Sequence, residues 1–189
     1  MAFLKIVEQV FKNPLLVSQA FQVSGLLVTG DLIGQVFINK KKFREVDYIR
    51  TVRVGVLGAT IIGTTVSSFF KILALTVDEK NKYVGIKKML IDQLIFVPFI
   101  FLPLFMISVN VYVNCNSWKQ TKEEMKNKYF SILLTNYKIW PLVQTLNFSY
   151  VPIPYQVFVT QSVAVLWNTY LIWKTVNVRK EESKQKVVM

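Results

Sequence analysis

The 189 residues are 52% hydrophobic with a mean hydropathy of +0.38, yet they carry a formal net charge of +12. Water-soluble domains rarely average apolar while holding so much charge of one sign, so an ordinary soluble globular protein is excluded. The length suits several membrane passages of about 20 residues each.

In chain order, the segment MAFLKIVEQVFKNP has Lys5 and Lys12, no arginine and an acidic Glu8, a poor match to a secretory signal or cleavable transit peptide. Uncharged windows then run Asn13–Gly30, Val54–Phe70, Gln93–Trp118 and Ile139–Trp173. The first two reach spanning length by admitting Asp31 and Lys71, and Pro141, Pro152 and Pro154 divide the last. These windows predict an all-α integral membrane protein. Its single domain, 1–189, would be a bundle of four transmembrane helices over 15–38, 52–76, 93–113 and 155–173, followed by a basic tail, 174–189.

Between the third and fourth spans, Phe130, Leu133, Leu134 and Tyr137 recur at three- and four-residue steps. They predict an interfacial amphipathic helix over Lys126–Trp140, lying in the headgroup layer. Trp118, Trp140 and Trp173 fall near span ends, where indoles favour the interface. An even span count puts both termini on one side. Basic residues divide evenly between the two sides, so charge does not orient the bundle.

Small residues predict how the spans pack. Gly30 and Gly34 are four apart, and Gly55, Ala59, Gly63 and Ser67 continue that step along the second span. A small-residue stripe lets two backbones approach closely, so spans one and two are expected to pack through it.

Polar side chains at membrane depth carry the functional signal: Asp31 and Gln35 in the first span, Lys71 in the second, Asp92 and Gln93 opening the third. Helical rise puts Lys71 near the height of Asp92, which predicts that pair, and makes Arg53 the nearer partner for Asp31. Asp31 could face a water-accessible path and favour cations, or it could clamp two helices together.

Enzymatic chemistry has little to work with. Histidine is absent, one cysteine cannot build a metal centre, and no phosphate-binding glycine loop occurs, so no catalytic residue, metal or cofactor is expected. The lone Cys115 cannot form an internal disulfide and is expected to be buried at a span end. The basic residues form no continuous stripe and accompany no nucleic-acid motif, so the predicted partner is a bilayer with anionic headgroups and not nucleic acid. Assembly into a homo-oligomer or a larger membrane complex remains open.

The carboxyl-terminal third contains Trp140-Pro141, Gln144, Asn147-Phe148, Val151-Pro152, Tyr155, Trp167-Asn168 and Tyr170-Leu171. Upstream stand Gly30-Asp31 with Ile33 and Gln35, then Arg50 or Arg53, Gly63, Lys71, Lys87-Lys88-Met89-Leu90, Asp92-Gln93 and Pro98. This pattern resembles the 22-kilodalton peroxisomal membrane protein family over almost the whole chain. Gln161, Val163-Ala164-Val165 and Trp173-Lys174 look more like its mitochondrial inner-membrane branch, whose best-known member is linked to mitochondrial DNA depletion. Thr64 stands where that family has a proline, Phe69-Phe70 where it has Trp-Tyr, and Gln156 where it has an arginine. Absence of the proline is expected to remove a kink from the second span.

The resemblance implies a poorly selective channel or pore for ions or small metabolites, in the mitochondrial inner membrane or alternatively the peroxisomal membrane. It also implies a connection with mitochondrial homeostasis and mitochondrial DNA maintenance. The residues alone are equally compatible with a non-conducting structural or assembly protein whose polar side chains lock helices together.

Overall fold

The computed structural model describes residues 14–78 and 82–167. Helix α1 runs Pro14–Ile33 and continues through a wide turn, Gly34–Ile38, in which the Asn39 amide reaches back five residues to the Gly34 carbonyl. Helix α2 is Tyr48–Thr76 and α3 is Val84–Val113. Helices α4 (Trp118–Asn136) and α5 (Trp140–Tyr150) follow, and α6 occupies residues 153–167. No strand occurs among the described residues.

Three of these helices are long and apolar enough to cross a membrane: Val17–Ile38, Tyr48–Thr76 and Val84–Val113. At 1.5 Å per residue even the shortest rises about 33 Å, more than a hydrocarbon core. The third begins nine residues before its predicted start, at Val84, so Lys87, Lys88 and Asp92 all lie within it. Residues beyond Trp167, including Asn168 and the end of the predicted fourth span, lie outside the described residues.

Contacts fix the direction of each helix. Gly55, Gly58 and Gly63 of α2 meet Val28, Ser24 and Ala20 of α1 in reverse order, so α1 and α2 are antiparallel. Phe69 stacks on Phe96, while Arg53 at the other end of α2 reaches Cys115 beyond α3, so α3 turns back again. Tyr129 then donates to the Pro98 carbonyl, Asn136 to Gln93, and Gln144 to Asp92, and Ser149 touches Gly85. The α4–α5 segment therefore returns along the whole of α3. Helix α6 runs parallel to α1: Gln19 reaches Pro154, and Gly30 faces Val165.

That return passage corrects the interfacial helix. The helix begins at Trp118 because Ser117 and Gln120 form a reciprocal capping box. It ends at Asn136, where the turn 137–139 intervenes and Pro141 takes the first turn of the next helix, a position where its missing amide costs no helical hydrogen bond. Lys126–Trp140 is thus not one helix, and Tyr129 reaches the middle of α3 instead of lying flat at a surface. Residue 14 lies at one end of the bundle and residue 167 at the other; the two termini, expected on one side, lie outside the described residues.

Glycine packing differs in register from the predicted four-residue stripe. A wide turn at Gly58–Ile62, closed by the Gly63 amide on the Gly58 carbonyl, rotates the helix by the extra residue. Gly55, Gly58 and Gly63 consequently face α1, Ala59 is only half-buried, and Gly30 faces α6. Gly34 is buried in the wide turn of α1. Helix α2 thus departs from regular α geometry without the family's proline. In α3, Pro98 lies within a longer wide stretch, Asp92–Phe101, as expected where a proline removes an amide donor.

Burial differs from that of a protein in water, with large apolar side chains exposed and many polar ones enclosed. Phe99 is 76% exposed, Leu75 78% and Tyr150 80%, whereas Lys88, Asp92 and Asn147 are each 1% exposed. Apolar side chains outside and polar ones inside are what a hydrocarbon solvent selects. The apolar part of the interior centres on Val23, Ile62, Val66, Phe70, Phe148 and Val157.

Candidate functional site

Two polar clusters are built into this interior. The first joins the end of α1 to the start of α2. Asp47 caps α2 by accepting the Arg50 amide at 2.9 Å, which places Arg50 and Thr51 in its first turn. Asp31 Oδ1 pairs with the Arg50 guanidinium, and Oδ2 accepts from Thr51 at 2.7 Å and Gln35 at 2.8 Å. Gln35 also accepts the Asp47 amide at 2.9 Å and the Lys41 ammonium at 3.3 Å. Asp31 is therefore a clamp saturated by neighbours, and its ionic partner is Arg50, not Arg53. Arg53, one turn on, donates to the sulfur of Cys115 at 2.6 Å. Cys115 is exposed and not buried, because the chain leaves α3 there through a left-handed turn with φ 55°.

The second cluster borders a cavity of about 200 Å³ to which all six described helices contribute, α1 through Leu27. Asp92 Oδ2 accepts from Gln93 at 2.7 Å and from Gln144 at 3.0 Å. Gln93 accepts from Asn136 at 2.8 Å, and its backbone carbonyl takes the Tyr137 hydroxyl at 2.9 Å. Asn147 donates to Thr160 at 2.9 Å and to Gln144 at 3.3 Å, joining α5 to α6. The rest of the lining is mostly apolar and aromatic and includes Phe96, Phe101, Phe105 and Trp140.

Lys71 does not reach the cluster. A four-residue step advances about 400°, so a residue two steps beyond Gly63 has drifted by about 80°. The buried face of α2 accordingly follows Gly63, Val66, Ser67 and Phe70, and Lys71 is exposed. The predicted Lys71–Asp92 pair is replaced by amide donors. Trp140, predicted at the interface, is buried on the cavity, whereas Trp118 is exposed.

Several motif residues acquire positions here. Gln144 and Asn147 are the cross-links of the polar floor, and Phe148 packs edge-on against Phe70 at 5.1 Å. Pro141 and Pro152 sit at the breaks that start α5 and α6. Trp167 lines the cavity. Sequence reasoning missed Thr51, Asn136 and Thr160; single polar residues in a helix give no signal until their depth and face are known. Among the described residues, no group of His, Cys, Asp and Glu could hold a metal ion.

A helical bundle with spanning-length helices, an apolar exterior and a hydrogen-bonded polar interior defines an integral membrane protein. Residues 111–172 match the Mpv17 / PMP22 family. The chain is 36% identical over 156 residues to the mitochondrial inner membrane protein Mpv17 of Xenopus laevis, covering 82% of this chain and 87% of that protein. It is 35% identical to human Mpv17, covering 82% and 88%. Protein SYM1 of Gibberella zeae is 30% identical, covering 84% and 89%. The chain belongs to the Mpv17/PMP22 family, and it is a multi-pass protein of the mitochondrial inner membrane. No solved structure matches it.

Proposed function

We propose that the protein is a poorly selective channel for ions or small metabolites, serving mitochondrial homeostasis. Its connection with mitochondrial DNA maintenance rests on the family resemblance. The observation that carries the channel reading is the cavity with Asp92 on its floor: a hydrogen-bonded polar cluster buried at spanning depth beside open space. The aromatic side would act as the closed gate, since an apolar constriction stops conduction by shedding water.

In this reading α6 and the apolar window after it complete a passage, so the chain traverses five times, counting the α4–α5 return. The basic first half of α4 and the loop containing Lys40, Lys41, Lys42 and Arg44 would meet anionic headgroups at one surface. Purified protein in planar bilayers tests the proposal: single-channel currents with a cation preference weakened by Asp92→Asn are expected. Silence of the intact protein across the full voltage range would defeat it. The saturated Asp31 clamp favours a second reading, a structural protein without conduction, and Asp31 is accordingly assigned to stability and not to ion selection.

A further inference from the structure

The cavity has a definite chemistry. Its volume of about 200 Å³ exceeds the roughly 150 Å³ of an engineered apolar cavity that takes up benzene, so it suits a ligand of about eight to ten heavy atoms. Asp92 is the one ionisable carboxylate, lysine or arginine among the described residues that line it. Lys88 is one turn earlier in α3 but does not line the cavity. Both amide donors to Asp92 meet Oδ2, and among the described residues no hydrogen bond reaches Oδ1. The side chain as a whole is 1% exposed, so bulk water reaches it little, and the described residues supply Oδ1 with no donor.

The remaining walls suit a cation with an apolar body. Phe96, Phe101 and Phe105 form a row with successive ring centroids 5.9 Å apart, and Phe70 and Trp140 add further rings. Aromatic rings attract an ammonium group and repel an anion. A small metal ion would find one carboxylate and few free oxygens, since Gln144 and Thr160 are already engaged with Asn147.

We infer that this cavity is a binding site for a singly charged protonated amine with an aromatic or alkyl body. Its ammonium donates to Asp92 Oδ1, and its body lies among Phe96, Phe101 and Phe105. The inference deepens the channel reading by naming the class of solute the same cavity accepts, and it rests on that reading for its physiological sense.

The test is calorimetric titration of the full chain in phosphatidylcholine nanodiscs with 2-phenylethylammonium, 2-phenylethanol and 3-phenylpropionate. The amine should bind about tenfold more tightly than the alcohol, and the carboxylate should be weakest. Asp92→Asn should lower amine affinity about tenfold while leaving the alcohol within about twofold. Ala164→Phe, which adds a ring to the lining from α6 and leaves Asp92 unaltered, should abolish binding of both amine and alcohol. Equal or tighter binding of 3-phenylpropionate by the unmodified protein overturns the inference, as does an Asp92→Asn protein with unchanged amine affinity. Should Asp92→Asn fail to fold, the ranking by the unmodified protein and the Ala164→Phe result decide. Conduction without amine preference sinks this inference alone, whereas amine binding by a protein silent in bilayers sinks the channel alone.

Discussion

Gly63 has no room for a side chain: a Cβ there would meet the Gly58 carbonyl at 2.6 Å and the Ala20 Cα at 2.8 Å, both backbone atoms. Gly25, in α1, would meet nothing within 4 Å. Gly63→Ala should therefore destabilise the bundle by about 1–3 kcal/mol through overpacking. Gly25→Ala should be neutral or stabilising by up to about 1 kcal/mol. Thermal unfolding in detergent, measured on both variants, checks the contrast. The Asp31 clamp gives a second comparison. Arg50→Gln should cost about 1.5–3 kcal/mol, because it leaves a buried carboxylate without its ionic donor. Arg53→Gln should cost less than about 1 kcal/mol, because it only removes a contact with an exposed thiol. That Asp31 lies at membrane depth, with a water path or an arginine to accommodate it, was legible in the sequence; that an arginine does so was not. Nor was which arginine, because the choice depends on where Asp47 starts α2.

Among the elements, the α4–α5 return separates best what sequence can and cannot reveal. Uncharged windows locate helices whose solvent is lipid, and three of them hold to within a few residues except at the early start of α3. Apolar periodicity around Phe130 and Leu134 also marks a helix, yet both side chains are exposed at 70% and 63%. A face that looks amphipathic can therefore sit alongside a span with its apolar side turned outward. The wide turn at Gly58–Ile62 was equally hidden, since no residue type requires it and its effect is a change of facing. The return can be tested by cross-linking. Ser149 Cβ lies 3.0 Å from where a Cβ on residue 85 would sit, so a separation of the two helices by somewhat under about 1 Å gives the spacing a disulfide uses. In a Cys115→Ser background, Gly85→Cys with Ser149→Cys should form a disulfide under mild oxidation, read as a mobility shift on a non-reducing gel. Its absence would mean that α5 does not lie along the start of α3.

For the whole molecule, five alternating directions make a topological prediction different from four spans with a flat connector. A flat connector would leave Pro152 on the surface that holds the α1–α2 loop. The observed return instead carries Pro152 to the surface that holds the α2–α3 turn. Single-cysteine variants Lys42→Cys, Tyr83→Cys and Pro152→Cys, again in a Cys115→Ser background, should react with a membrane-impermeant maleimide accordingly. Pro152→Cys and Tyr83→Cys should label from one side and Lys42→Cys from the other. The parallel pairing of α1 with α6 has a further consequence, in the timing of synthesis. Gln19 and Pro154 are 135 residues apart in the chain, and Gly30 meets Val165. A ribosome must therefore build nearly everything in between before the first helix can find its last neighbour. Until then Gln19, which is 4% exposed in the finished bundle, has no Pro154 carbonyl to bond. Closure of such a long loop is slow to nucleate. Whenever α1 is in place before α6 it therefore stands unsealed, and a chain halted before residue 154 would remain in that state.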